Sequence, residues 1–479
     1  MLHKKVIYLL LMGLSYGCQV GPKYSPPKMD IPDAWQSDLS QNCHPQAVDD
    51  FVWWEKLNDP LLNTLIERAS EQNLDLSIAA TRILQARAFE KGGRAPLYPH
   101  LDGSLTYGHV QYNRKVLDRL LGIKGRGSDK KNVNFFEAGF DAEWELDFFG
   151  VHAHELQALK AEIQASEENF KHILITLTAE VAKNYIEIRG FQERLSLLER
   201  NMVLQNETLN LTEGLIQAGF VGSTDQKQAQ EQLKMLLAEK PNLQLSIRRA
   251  THRLSILLGY PPGELLGLLN ERQAFPVIPA QNPVGIPSDL LRRRPDIRQA
   301  ERNLAAATER VGSAIAALFP RLSLTGFIAD IGAWKPHGLT GFGSSELLLP
   351  IFNSKQLKQD VDLNKIKTQE ALYFYQKTVL EALEETENAI ASLHAEQERN
   401  AHLYEALEAS QAAYTLTSQL YQKGFKNYLD VLIASRSLLA AEEAYIQSST
   451  DVLLHYIALY KALGGGWDLM PNEACASSS

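Results

Sequence analysis

The residue with the plainest chemistry in this chain is Cys18, one of three cysteines in 479 residues. It follows Leu14-Ser-Tyr-Gly and precedes Gln19-Val-Gly-Pro-Lys-Tyr-Ser-Pro-Pro27, a proline-punctuated loop. Before it lie a basic head, Met1-Leu-His-Lys-Lys5, and an apolar run from Val6 to Leu14. That run is too short to anchor in a bilayer and has the length of a secretory signal core. Small residues at Ser15 and Gly17 suit a cleavage site, so residues 1–17 read as a signal peptide. The chain would then be cut before Cys18, whose thiol takes up a diacylglyceryl group. Each acyl methylene buried in a membrane contributes roughly 0.8 kcal/mol, so a multiply acylated Cys18 is a firm tether. An ordinary signal peptide with an incidental cysteine is the bland alternative. Gln19 replaces the aspartate that retains bacterial lipoproteins at the inner membrane, which favours outer-membrane lipid as the partner.

Other candidate chemistry is sparse. There is no phosphate-cradling glycine loop and no pair of histidines with a carboxylate at metal-ligand spacing. His152 and His154 stand two apart near a helix start and read as exposed polar residues. Gly464-Gly-Gly466 ends a helix without opening another of the nucleotide-binding kind. Neither a cofactor nor an enzymatic activity is expected. A net charge of −9 argues against nucleic acid as a partner. Cys43 and Cys475 either pair in an oxidising compartment or stay separate thiols. After the signal, no apolar run is long enough for a transmembrane helix.

The elements that would position Cys18 and the rest come in two copies. Arg94-Ala-Pro-Leu-Tyr-Pro-His-Leu-Asp-Gly-Ser-Leu echoes Ala316-Ala-Leu-Phe-Pro-Arg-Leu-Ser-Leu. Gln217-Ala-Gly-Phe…Asp225 echoes Gln422-Lys-Gly-Phe…Asp430, and Leu258-Gly259 echoes Leu463-Gly464. The last two pairs lie 205 apart, whereas Pro99 and Pro320 lie 221 apart. The first copy therefore carries about sixteen extra residues, which the polar stretch Arg114 to Asn132 accommodates as an exposed loop. The copies span 61–260 and 288–467, preceded by a lipid-anchored segment, 18–60, and followed by a tail, 468–479. Between them, 261–287 holds six prolines and reads as an extended linker.

Residues 151 to 218 contain no proline and two glycines, and 354 to 423 contain neither. As single helices these would run about 100 Å, far beyond the globular norm, and would need a continuous partner surface. Ile188, Leu195, Met202, Leu209 and Ile216 recur every seven residues, which points to coiled-coil packing; an ordinary core stripe is the alternative. Each long helix meets a turn, Gly219-Phe-Val-Gly or Gly424-Phe-Lys-Asn, and returns through a shorter helix, about 220–258 or 425–463. Half-length helices at about 61–92 and 288–319 complete the wall.

The opposite ends of the long helices differ. Phe136, Ala138, Phe140, Ala142, Trp144, Leu146 and Phe148 alternate with Glu137, Gly139, Asp141, Glu143, Glu145 and Asp147. Period two with one apolar and one acidic face is a strand pattern, and a soluble sheet with a wet face gives it too. Its length favours a membrane barrel, where a tilted strand needs about 9 to 11 residues. Strands are expected at about 101–112, 133–148, 320–333 and 339–351, the fourth placed mainly by the repeat. Four strands cannot close, and open edges in hydrocarbon leave backbone groups unpaired at several kcal/mol each. Two chains give eight strands, a width that side chains fill, so three chains and twelve strands are the smallest symmetric closure with a water-filled bore. The acidic face then lines that bore and favours cations.

Cys18-Gln-Val-Gly-Pro-Lys-Tyr-Ser-Pro-Pro, Ala138-Gly-Phe-Asp-Ala-Glu-Trp-Glu-Leu-Asp-Phe-Phe-Gly and Arg293-Arg-Pro-Asp-Ile-Arg-Gln-Ala-Glu, with Tyr421-Gln-Lys-Gly-Phe-Lys-Asn-Tyr-Leu-Asp-Val-Leu, resemble the TolC-type outer-membrane efflux family. The N-terminal motif is similar to its lipoprotein branch, and the likeness covers nearly the whole mature chain. It implies an α+β membrane protein whose helical hairpins form a trimeric α-barrel. Four strands per chain would complete a 12-stranded trimeric β-barrel, with a mixed equatorial belt between. The implied role is the outer-membrane channel of a tripartite efflux system. Its partners would be a periplasmic adaptor protein and an inner-membrane pump of the resistance-nodulation-division type, exporting small molecules. The resemblance carries a periplasmic gate to Leu429, an apolar ring, and Asp430, an acidic one. It carries adaptor-docking hairpin tips to Gly219 and Gly424. Some members have a further aspartate where this chain has Ile433. Asp430 read without the family is a solvated residue at a helix start. Two rival functions are an exit duct for type I polypeptide secretion and a non-conducting periplasmic coiled-coil tether.

Overall fold

A computed structural model describes residues 19–36, 43–44, 52–112, 131–217, 222–271, 275–276, 282–332 and 337–466. Cys18 and the signal, Gly219, Cys475 and the tail lie outside these residues, and only the backbone of Cys43 is described. In chain order come β1 (Cys43–His44), a 3-10 turn at Trp53–Leu57, α1 (Pro60–Gln72), α2 (Leu74–Gly93), β2 (His100–Tyr112) and β3 (Lys131–Leu146). Next are α3 (Val151–Gln217), α4 (Ser223–Leu257), α5 (Leu266–Leu269), β4 (Asn282–Pro283), α6 (Leu290–Arg293) and α7 (Pro295–Ala316). The chain ends with β5 (Arg321–Gly332), β6 (His337–Leu348), α8 (Ser354–Gln422) and α9 (Tyr428–Ala462). The long helices α3 and α8 run 67 and 69 residues unbroken. The return helices α4 and α9 each run 35 residues, and their first residues, 223 and 428, are 205 apart. Among the described residues, no helix is long and apolar enough to cross a membrane.

Three expectations need correction. The half-length helices are interrupted, at Asn73 and at Arg294. Asn73 accepts the N–H of Leu76 on its side chain (3.0 Å) and starts a new helix, while Pro295 disfavours helical backbone at the residue before it. The linker is not extended throughout, because it contains the turn α5 and strand β4, which pairs in parallel with β1 (Cys43↔Asn282). β3 stops at Leu146, short of 148, and β6 ends at Leu348, short of Ile351.

The described chain divides into two units. The first takes in Ile83–Ala165 and Ala300–Tyr375 with the described residues up to Pro27. It holds an antiparallel sheet of order β2-β3-β5-β6, so strands that follow one another also pair. Below the sheet, Ala158 and Ala161 of α3 pack on Ala305 and Ala306 of α7, with Tyr24 against them. Small residues here let the helices approach closely. His154 contradicts its expectation of exposure: it is 7% exposed, and its Nδ1 lies 2.6 Å from Glu309 Oε2. Gly312 makes that room, since a Cβ there would come within 2.7 Å of the imidazole.

The second unit takes in Lys28–Arg82, Ser166–Gln299 and the described residues from Gln376 onward. Its core is aromatic, with Trp53 stacked on Tyr460 at 5.8 Å and Tyr185 and Tyr456 fully buried. The seven-residue stripe of α3 turns inward here. Ile188 is fully buried, Leu195 and Met202 pack with Leu236 and Leu243 of α4, and Leu209 packs on Tyr428 and Leu432 of α9.

Candidate functional site

The register of the sheet sorts its side chains into two faces, because directly paired residues point the same way. One face carries Leu101, Leu105 and Tyr107 from β2 and Phe136, Phe140 and Trp144 from β3. Leu322, Leu324 and Ile328 from β5 and Leu339 and Leu347 from β6 continue it. Leu105 and Tyr107 leave more than 70% of their surface uncovered, and Ile328 and Leu339 are more than half exposed. Large apolar groups in that state on a single chain mark a surface built to meet hydrocarbon or another copy.

The other face carries Glu137, Asp141, Glu143 and Glu145, as the alternation of β3 requires. Asp102 of β2 stands directly opposite Asp141, Thr106 opposite Glu137, and His100 opposite Glu143. Three of these carboxylates have local partners: Ser104 donates to Asp141 (3.2 Å), His100 Nε2 lies 3.1 Å from Asp102, and His152 Nε2 lies 3.9 Å from Glu145 Oε1. Asp102 escaped the sequence reading, although Asp102, Ser104 and Thr106 alternate with Leu101, Gly103 and Leu105. Asp147 leaves this set. It follows the last strand residue and accepts the N–H groups of Gly150 (3.1 Å) and Ala153 (2.7 Å), capping the start of α3. The period-two pattern runs on into the cap only because a capping carboxylate fell on the acidic register.

The hairpin tip of the second unit is built from its backbone outward. Gly424 adopts φ +80°, and Gly424 N–H and Phe425 N–H donate to the carbonyls of Tyr421 (2.8 Å) and Leu420 (2.9 Å). This left-handed closure ends α8. Three residues later Asn427 caps α9: Asp430 N–H donates to Asn427 Oδ1 (3.0 Å), and Asn427 N–H donates to Asp430 Oδ2 (3.3 Å). Lys426 Nζ sits 3.5 Å from Asp430 Oδ1. Asp430 is thus both capped and near the helix N-terminus, while Leu429 and Ile433, one turn apart, are at least half exposed. Sequence reasoning missed the support beneath them. Tyr428 is buried, its ring 6.2 Å from Tyr421, and Gln205 of α3 donates to its hydroxyl (3.4 Å). Burial pushes the Tyr428 hydroxyl above its ordinary pKa, so it stays protonated. The seven-residue spacing of the two tyrosines was the available signal.

The sequence profile of the outer membrane efflux proteins matches residues 65–260 and 286–465. The chain belongs to the outer membrane efflux protein family. Nodulation protein T of Rhizobium leguminosarum bv. trifolii is 31% identical over 460 residues, covering 94% of this chain and 95% of its own. Solvent efflux pump outer membrane protein SrpC of Pseudomonas putida is 30% identical over 482 residues, covering 97% and 98%. Among solved structures, the outer-membrane channel OprN superposes with a TM-score of 0.85 at 33% identity, over 94% of this chain and all of that one. The MtrE outer membrane channel of Neisseria gonorrhoeae superposes with a TM-score of 0.81 at 26% identity, over 94% and 99%. This member of the family is an outer-membrane efflux channel with the α+β channel fold, as the resemblance implied. The family is one of transport channels rather than enzymes.

Proposed function

We propose that three copies of this chain close one duct that carries small molecules outward from a tripartite efflux system. The observation that carries the reading is the sheet, with β2 and β6 as its edges, one face apolar and exposed, the other acidic. Edges left open in hydrocarbon would strand backbone donors and acceptors at several kcal/mol each, and joining β6 of one copy to β2 of the next removes them. The apolar face then meets lipid, and Glu137, Asp141, Glu143 and Glu145 face water and draw cations. Leu429 and Asp430 form the gate at the hairpin tip. Three like carboxylates around an axis repel, so a small outward rotation of α9 opens it. A periplasmic adaptor docks at the hairpin tips that hold Gly424 and Gly219, joining the duct to an inner-membrane pump. Cys18 carries the acyl anchor in outer-membrane lipid.

The test is current through purified protein in planar bilayers. The reading expects cation-preferring steps that rise when Asp430→Ala removes the gate carboxylate; silent bilayers would reject it. Deleting the gene should raise susceptibility to small toxic molecules and leave the secreted proteins unchanged, the reverse result favouring polypeptide secretion. Cys18→Ser should abolish lipid labelling while the assembly persists, and retained labelling would remove the acylation site.

A further inference from the structure

Across the acidic face, four directly paired residues form one transverse row: Asp102, Asp141, Phe327 and Phe342. Two carboxylates therefore stand beside two phenyl rings on a face whose neighbouring rows are small or polar. On one side lie Ser104, Gly139, Ala329 and Thr340; on the other lie His100, Glu143, Thr325 and Ser344. Thr325 and Ser344 are hydrogen-bonded to each other at 2.7 Å, so they do not compete for the carboxylates. The phenyl rings sit 6.2 Å apart and tilted by 35°, and Phe342 is 60% exposed. An aromatic pair open to the water side of an acidic wall is anomalous for a surface that only conducts ions. Cross-strand ring pairing would stabilise the sheet equally well on the opposite face.

We infer that this row is a contact site for organic cations that bear aromatic or bulky apolar groups, which it selects as cargo. The inference rests on the trimeric-duct reading, in which the face lines the bore and the row occurs three times. The carboxylates attract the charge by complementarity, and the rings offer faces for the apolar body and for cation–π attraction. A small inorganic cation uses only the first half of the row, and an apolar anion is repelled by it. The row thus separates cargo by the joint presence of positive charge and apolar surface.

The experiment uses the full-length assembly in planar bilayers with potassium current as the readout. Tetraphenylphosphonium, tetraethylammonium and tetraphenylborate are added in turn to the barrel side. Tetraphenylphosphonium should reduce the current at concentrations about tenfold lower than tetraethylammonium, with tetraphenylborate inactive. Phe327→Ser with Phe342→Ser should raise the tetraphenylphosphonium requirement about tenfold and leave the unblocked current and the tetraethylammonium response as they were. Asp141→Asn should weaken the block by both cations. Phe342→Thr alone, matching Thr340 on the same face, serves if the double variant does not assemble, with a smaller shift in the same direction. Equal potency of the two cations, block by the anion, or an unchanged response in the phenylalanine variants would overturn the inference while leaving the duct intact. Wild-type protein that passes no current would instead strike the duct itself.

Discussion

Two helix junctions in the second unit perform one task with different chemistry. In the first copy Asn73 separates α1 from α2, and its side-chain amide donates to the carbonyl of Leu257, the last residue of α4, at 2.8 Å. In the second copy Arg294 separates α6 from α7, and its guanidinium donates to the carbonyl of Ala462, the last residue of α9, at 3.0 Å. The break positions, 73 and 294, are 221 apart and the carbonyls, 257 and 462, are 205 apart, the two offsets of the repeat. Gly259 and Gly464 then close the two return helices at φ +77° and +73°, one beside the carbonyl of Gln72 and the other beside that of Arg293. What differs is charge. Asn73 is neutral and complete once it also accepts Leu76 N–H, whereas Arg294 is answered by Asp296 and Glu385, each at 2.7 Å. A helix end buried in a wall demands a donor for its last carbonyls. The repeat retains that demand, and the donor has diverged wherever its own groups are satisfied.

The largest test of this comparison is Arg294→Met set against Asn73→Ala. The first leaves Asp296 and Glu385 without their cation and should cost about 3–5 kcal/mol. The second removes a neutral donor and a cap and should cost about 1–3 kcal/mol. Unfolding by urea in detergent gives both values, and an Asn73→Ala loss as large as that of Arg294→Met would break the asymmetry. Next come the glycines. Alanine in a left-handed conformation costs roughly 1–2 kcal/mol. A Cβ at Gly259 would also lie 2.7 Å from the Gln72 carbonyl oxygen, against 3.3 Å to that of Arg293 at Gly464. Gly259→Ala should therefore lower the melting temperature more than Gly464→Ala.

Acid sharpens the contrast further. Burial pushes the carboxyl of Asp296 up, but the Arg294 guanidinium beside it overrides this and holds it below the usual carboxylate range. A depressed folded-state pKa contributes stability above the unfolded value, about 3.9 for aspartate, and loses it as pH falls through the folded one. Arg294→Met instead strands carboxylates that protonation relieves. The gap between wild type and Arg294→Met should thus narrow below about pH 4, while the gap to Asn73→Ala stays flat; parallel pH profiles would contradict this. The smallest effects lie at the starts of the return helices. Asn427 caps α9 through its side chain, whereas Gly222 begins α4 with none. Asn427→Ala should cost about 1 kcal/mol, and Gly222→Asn should gain a few tenths, both read from melting temperatures.

Much of this architecture was legible because long periodic patterns have few physical readings. The proline-free stretches became α3 and α8, and the strict alternation in β3 sorted its acids onto one face. The equivalence of Asn73 and Arg294 was not legible, since an amide and a guanidinium share no sequence likeness and their common target lies in a distant helix. His154 read as exposed because its partner, Glu309, is 155 residues away and its space depends on Gly312. The aromatic half of the row in β5 and β6 was hidden for another reason. β6 carries Gly338, Gly341 and Gly343, and β5 places Asp330 on the apolar face, so neither strand alternates cleanly. Register, which only pairing supplies, was needed to align Phe327 and Phe342 with Asp141.

The claim on which the rest depends is that one sheet of four strands is a third of a closed wall. Native mass spectrometry of the protein extracted from membranes in mild detergent weighs that claim directly. A dominant particle of three chains is the result expected, and a stable particle of one or two chains would contradict it.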